Sequence, residues 1–452
     1  MHNLLAGTAK VTITPPIAYR MDAWLLRKGR STGIHDDLYA KALVLDNGDT
    51  AVAIITMDIL GIDARIVAET RTAIHALTGI APEHVLFSAS HNHTSPLQPD
   101  APEYGKYWSL FPDVVAGCVF AAYQRRQAAK FGYALTAAEG LTVNRTHHEE
   151  RVDTQLGVMR IEGEDGGLIA CVVNYQAHAS IAGGQYLDWT ADWPGYLAHK
   201  IETRYPGALC YYLQGACGNI NAWDWWFGNE HSAHPSTHAK AQEFGERLGA
   251  LVDAVLPSIP TVAQAELSAT SVVIPMPMRD IPWSHSEIAA VLEKTLANNT
   301  PSLMAAWPED ETTATSAQHF PDEYRIVFAQ RALRLVSENK TFQAEVQVMR
   351  INDLLLAANP TEFFNELGQQ IKAAAPGQVF VVAYANGYIG YAPTRAVVEE
   401  CRQMTLEDSI DPLKNRWAYG AAWPTSWYTP EAGERIVEAS IALIGQCGSS
   451  AR

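Results

Sequence analysis

Short runs of apolar, often β-branched residues recur along this chain of 452 residues, separated by longer amphipathic stretches. They fall at Ala42–Asp46, Ala51–Thr56, Val85–Ser88, Leu168–Tyr175, Leu209–Leu213, Leu354–Ala358 and Val379–Tyr384, and runs of this length and composition read as strands. Many are apolar at consecutive positions, so both faces of the strand have to be covered. The covering segments read as helices at Ala64–Leu77, ended by Gly79, at Val114–Lys130, at Ala239–Val255, at Glu362–Ala374 behind Thr361, and at Glu431–Ile444 behind Thr429 and Pro430. The pattern predicts an α/β fold of mixed α+β type, with layered β-sheets flanked by helices. It leaves strand order open.

Composition narrows the partners. A formal net charge of −16 argues against a nucleic-acid backbone or an anionic membrane surface as the main partner. No stretch approaches the roughly 18 apolar residues of a membrane span, and the N-terminus lacks a basic segment followed by a sustained apolar one, so a cytoplasmic protein without membrane insertion is expected. The cysteines at 118, 171, 210, 217, 401 and 447 show no C-x-x-C spacing, which suggests reduced thiols rather than a zinc ribbon or a disulfide framework. The stretch from about 257 to 343 is richer in Pro, Thr and Ser, with an amphipathic piece at Ser286–Leu296, and reads as an inserted subregion.

Four polar residues lie just past the ends of apolar runs: His91, His178, Glu362 and Tyr391. Functional groups concentrate where strands end in covered sheets, so these could meet at one edge. His91 belongs to the segment SASHNHTSP, and if strand geometry persists through it, His91 and His93 leave the same face and can serve one site. Taken singly, each residue also fits a structural role: a hydrogen-bonded core histidine, a carboxylate at a helix N-terminus, a packed tyrosine.

The motifs AGTAKVTITPP, GIHDDLYAKALVL, TMDIL, SASHNHTSP, VNRT, NYQAHAS, QGACGNIN, ANPTEF and ANGYIGY follow one another through most of the chain. In that order they resemble the catalytic domain of the neutral ceramidase family, zinc-dependent hydrolases of an N-acyl amide bond. The resemblance implies one catalytic domain over 1–452 without an immunoglobulin-like domain behind it, and Zn²⁺ as cofactor. It implies His91, His178, Glu362 and Tyr391 as zinc ligands, with Tyr391 a catalytic group as well. His93 is then the proton carrier and Arg145 the clamp for an oxyanion or substrate. Asp58 is a candidate for supporting a ligand, or simply for capping loop amides. Tyr419, in WAYGAAW, is the counterpart of a second active-site tyrosine. A zinc-polarised water would attack an acyl carbonyl while His93 moves the proton to the leaving amine.

Where ceramidases carry a segment with a functional serine, this chain reads Gly218, Asn219, Ile220, Asn221, which removes a hydroxyl there and makes Asn221 a candidate substrate contact. Trp223, Trp225, Trp226 and Phe227 follow at once, and Trp417, Trp423, Trp427 and Tyr428 cluster later; such faces wall small pockets, so Trp223 joins the substrate-binding candidates. The expected substrate is therefore compact and water-soluble, with homo-oligomerisation left open. Hydrolysis of an ester, lactone or glycosidic bond is the second reading, and a metal-stabilised binding protein without turnover the third.

Overall fold

A computed structural model describes residues 3–24, 27, 29–96, 105–147, 150–222, 236–298, 321–338 and 341–449. Its larger sheet has eight strands: β1 (Leu5–Thr12), β2 (Tyr39–Asp46), β3 (Ala51–Met57), β4 (Val85–Ala89), β5 (Gln127–Ala137), β6 (Gln155–Gly163), β7 (Leu168–Tyr175) and β8 (Leu209–Gln214). They lie in the order β8-β7-β6-β5-β1-β2-β3-β4, parallel at the two outer pairs and antiparallel between. The smaller sheet is β9 (Leu267–Pro277), β10 (Thr341–Ile351), β11 (Leu354–Ala358) and β12 (Gln378–Val382), in that order, with only the last pair parallel.

The uninterrupted apolar runs are explained by what covers each face. Along β2, Leu43 and Leu45 point into a core shared with Leu354, Leu356, Phe380 and Val382 of the smaller sheet, so the two sheets pack against each other. Contact is close: a Cβ on Gly157 would lie 2.3 Å from the Phe380 ring. Ala42 and Val44 point the other way, towards α1 (Ala64–Thr78) and α2 (Gly105–Gln124). The outer face of β6–β8 is covered by α3 (Asp192–Arg204) and α4 (His238–Val255) through Trp193, Leu197, Phe244 and Leu248. α5 (His285–Asn298) and α6 (Pro321–Glu338) pack on one another, and α7 (Asn365–Ala374) and α8 (Ala432–Ser449) cover the smaller sheet. The result is the mixed α/β architecture expected, four layers in the order helix, sheet, sheet, helix. Among the described residues no helix is long and apolar enough to cross a membrane.

Three local expectations change. The helix read at Val114–Lys130 lies at Gly105–Gln124, and the chain from Gln127 is strand β5. Its Ala, Gln and Lys content favours helix locally, but pairing with β6 from Ala129↔Gly163 to Ala137↔Gln155 overrides propensity. The helix read from Glu362 starts at Asn365, because Glu362 and Phe363 pair in parallel with Tyr391 and Ala392. The strand before the two histidines ends at Ala89, and His91 is left-handed at φ +60°, so a turn rather than strand alternation brings their side chains together.

Asp192 opens α3 in a left-handed conformation, φ +53°, with its buried carboxylate accepting the backbone N–H of Ala182 (2.8 Å) and Trp193 (2.6 Å). Burial pushes its pKa up to about 7, against the pull of those two donors. Between the unfolded value near 4 and about 7 the native state binds the extra proton, so this group's contribution to stability falls as pH rises through that window. Asp192→Asn should remove that slope: the difference in urea midpoint between variant and wild type should move in favour of the variant from pH 4 to 7 and level off above.

Candidate active site

The site forms where the loop after β12 is stitched to the end of β4. Ala89 donates its N–H to the Tyr384 carbonyl at 3.1 Å and Asn386 to that of Phe87 at 3.1 Å, while the Asn386 side chain accepts the Phe87 N–H at 3.0 Å. Tyr384 and Asn386 are left-handed like His91, at φ +53° and +57°. Such conformations cost energy and gather at functional sites, a pattern that fits this junction. The Tyr384 ring stacks on the His91 imidazole at a centroid distance of 4.0 Å.

The three histidines arrive on two loops cross-linked by Gln214, whose amide donates to the carbonyls of Ser90 (3.0 Å) and Ala177 (2.8 Å). His91 Nδ1 lies 2.9 Å from the Leu60 carbonyl and His178 Nδ1 lies 3.0 Å from that of Ile220. A carbonyl can only accept, so both rings carry a proton on Nδ1 and turn Nε2 inwards. Those Nε2 atoms face Glu362 Oε2 at 3.4 and 3.5 Å. His91, His178 and Glu362 are buried, and neither Glu362 Oε2 nor His178 Nε2 has a hydrogen-bond partner. Burial pulls the His178 pKa down to about 3, with Arg145 adding to the effect, so its ring is neutral at physiological pH.

With both imidazoles in their neutral form, the two ring nitrogens and the carboxylate oxygen are acceptors pointed at one another in a buried space, which repel unless a cation sits among them. Zinc bound by donors at 2.0–2.1 Å in tetrahedral array separates them by roughly 3.3 Å, close to the spacing found here. A backbone carbonyl behind each ligating imidazole is also the usual supporting arrangement. The residues present therefore fit a zinc ion. His93 Nε2 lies 3.3 Å from His91 Nε2, and the ligand atoms of His91, His93 and His178 all fall within 4.8 Å of one another, so a third imidazole is within reach. His93 differs from the other two: its Nδ1 is buried without a partner and no carbonyl fixes the ring. Burial and the neighbouring imidazoles hold its pKa well below the usual range, which leaves a neutral base.

Arg145 lies on the other side of the cluster. Its Nη2 donates to the Gly218 carbonyl at 2.7 Å and the Tyr391 hydroxyl at 2.8 Å, and its Nη1 reaches Asn221 Oδ1 at 3.4 Å. Tyr419 meets the Tyr391 ring edge-on at 5.8 Å and lies 5.1 Å below the guanidinium. The Asn221 amide nitrogen is buried with no acceptor, so a donor is free beside the guanidinium. Gly218 is forced by crowding, since a Cβ would fall 2.4 Å from the Glu362 carbonyl.

Two solved structures match this fold across nearly its whole length. One is described as a ceramidase complexed with C2, at TM-score 0.71 and 15% identity over 100% of this chain and 76% of the other. The second is neutral ceramidase from Pseudomonas aeruginosa, at TM-score 0.70 and 18% identity over 99% of this chain and 75% of the other. The chain has the neutral-ceramidase fold. No protein-family model and no curated protein matches it.

Within this ceramidase-like fold, His91, His93, His178, Glu362, Tyr391, Arg145, Asn221 and Tyr419 gather in one place. Trp223, with Trp225, Trp226 and Phe227, lies outside the described residues. Trp423 and Trp427 are buried in the core, and Trp427 packs under Gly390, where a Cβ would meet its ring at 2.9 Å. Asp58 accepts the Tyr39 N–H at 2.9 Å, and its backbone carbonyl accepts from the Asn92 amide of the histidine loop at 3.2 Å. Sequence reasoning missed Tyr388, whose hydroxyl donates to Glu362 Oε1 at 2.6 Å and fixes the carboxylate. The signal was its place three residues before Tyr391 in ANGYIGY.

Proposed function

We propose that this protein is a zinc-dependent hydrolase that cleaves the N-acyl amide bond of a small substrate. The observation that carries the reading is the buried, unpartnered Glu362 oxygen facing two imidazole lone pairs at 3.4 and 3.5 Å. His91, His178 and Glu362 would hold the ion, with Tyr391 beside them in register with Glu362. Zinc in such a site would supply a Lewis acid that lowers the pKa of a bound water into the neutral range.

The chain's own residues supply the rest. His93, neutral and unanchored, accepts the proton of the attacking water and delivers it to the leaving amine as the C–N bond breaks. The Arg145 guanidinium, the Tyr391 hydroxyl and the Asn221 amide are the donors for the oxygen of the acyl group as it becomes negative. Asn221 in place of a serine leaves no hydroxyl nucleophile at that position and favours direct attack by water.

The same residues would serve an ester, lactone or glycosidic substrate, and a side-by-side screen of acyl amides, lactones and aryl glycosides separates these. A purely structural metal site needs neither His93 nor Arg145, which weighs against a binding protein without turnover. Metal analysis should find one zinc per chain, and amide hydrolysis should disappear on chelation and return with zinc. Full activity in metal-free protein would overturn the proposal.

A further inference from the structure

A cavity of about 400 Å³ is lined by α3 and by residues of β1 and β2, and none of the residues of the zinc cluster lines it. Its wall backs onto the histidine loop. The Asp58 carbonyl accepts the Asn92 amide at 3.2 Å, and that amide also donates to the Thr190 carbonyl at 2.7 Å. Asp36 in turn holds the Thr190 hydroxyl (2.6 Å) and the Ala191 N–H (2.7 Å).

The charges around this space are unevenly matched. Four acids, Asp36, Asp37, Asp58 and Glu202, line it against Lys10 and Lys41, a balance of −2 before the histidines are counted. Both lysines are engaged by one acid: Lys41 Nζ meets Glu202 Oε1 at 2.6 Å and Lys10 Nζ meets Oε2 at 3.0 Å. Asp36 is satisfied by Thr190, Ala191 and the His35 ring. Asp58 is not. Its Oδ2 accepts the Tyr39 N–H at 2.9 Å, whereas Oδ1 has no partner among the described residues and keeps accessible surface in the cavity. Burial pushes its pKa up to about 6, against the pull of Lys41 and that N–H, so the group is ionised at neutral pH and short of positive neighbours. Tyr196 lines the same cavity, half-buried, and its hydroxyl is likewise open and unpartnered. The acids are not gathered for a metal ion, because among the described residues the group of such side chains close enough to hold one is His91, His93 and His178. What is left is a negatively charged space with an aromatic wall, a setting in which a carboxylate and a ring face hold an organic cation together.

We propose that this cavity is a second ligand site, for a small organic ammonium ion, with the Asp58 carboxylate as its counter-charge and Tyr196 as its hydroxyl and ring. The site goes beyond the amide-hydrolase reading and does not depend on it, since its occupant touches none of the zinc ligands. A primary ammonium offers three donors and no acceptor, which suits Asp58 Oδ1 and the Tyr196 hydroxyl, and its alkyl tail packs on the ring.

The test titrates the full chain with n-butylammonium, n-butanol and n-butyrate at neutral pH, reading dissociation constants by calorimetry or ligand-observed NMR. Wild type should bind butylammonium more tightly than butanol by roughly 10- to 100-fold, the range of a charge-assisted hydrogen bond, and butyrate more weakly than either. Asp58→Asn keeps an acceptor for the Tyr39 N–H and removes the charge, so it should bring the ammonium-to-alcohol ratio to about 1. Tyr196→Phe deletes a hydroxyl with no partner in the fold and should weaken butylammonium by roughly 3- to 10-fold, which decides the matter if Asp58→Asn does not fold. Removing metal with a chelator should leave the wild-type affinity for butylammonium unchanged. Equal binding of butylammonium and butanol by wild type overturns the proposal, as does a preference that survives in Asp58→Asn or an undiminished affinity in Tyr196→Phe. Tighter binding of butyrate would mark an anion site, and loss of butylammonium binding on chelation would move the ammonium to the hydrolytic centre; either result overturns it too.

Discussion

Glutamine in place of Glu362 should leave a folded protein with no bound zinc and activity reduced by about 10³-fold or more. Glu362 is the acid that meets the His91 and His178 lone pairs, and Tyr388 already occupies its other oxygen. The amide keeps the shape and an oxygen for the Tyr388 hydroxyl. Its NH₂ then points at two ring nitrogens that only accept, which satisfies them without a cation. The exchange should therefore weaken metal binding and at the same time ease the metal-free state. Metal analysis, turnover and thermal midpoint in chelator give three readouts. The midpoint of Glu362→Gln in chelator should equal or exceed that of wild type in chelator. Retention of stoichiometric zinc with a tenth or more of the activity would contradict the assignment.

Arg145→Lys should lower kcat by roughly 10²- to 10³-fold with zinc content unchanged. One guanidinium nitrogen holds both the Gly218 carbonyl and the Tyr391 hydroxyl, and the fork continues to Asn221. Lysine keeps the charge and cannot span those partners from one plane. A group that acts on the developing oxyanion is felt in kcat more than in KM, so the split between the two tests the role. An effect confined to KM would make Arg145 a substrate-binding group only.

The layered fold was legible because strands covered on both faces cannot hide their apolar runs: Leu168–Tyr175 and Leu354–Ala358 have the bounds read from sequence. Strand β5 was not legible, since Gln127–Ala137 becomes a strand only through partners elsewhere in the chain. Strand β1 was missed for the same reason, its ladder running to β2 from Leu5↔Asp46 to Thr12↔Tyr39. Motif order was enough to single out His91, His178, Glu362 and Tyr391 as candidates. What it did not contain was how they meet. The left-handed turn at His91, the stacked ring of Tyr384 and the hydroxyl of Tyr388 on Glu362 are properties of folded backbone.

The stitching of Tyr384–Asn386 to the end of β4 has a consequence for how function is lost. His91 hangs from the larger sheet, whereas Glu362 and Tyr391 follow strands of the smaller one. Were the two sheets to part by a few ångström at this seam, each would keep its own ladder of hydrogen bonds and most of its helices, and the helical and strand signal of the chain would scarcely change. The charge cluster would nevertheless be gone. An ion gripped from both sides would act as a clasp, drawing the halves together by whatever it gains over the parted state. The proposed activity would thus gauge how well two halves are fastened, and a heat-damaged molecule would fall silent while still looking intact.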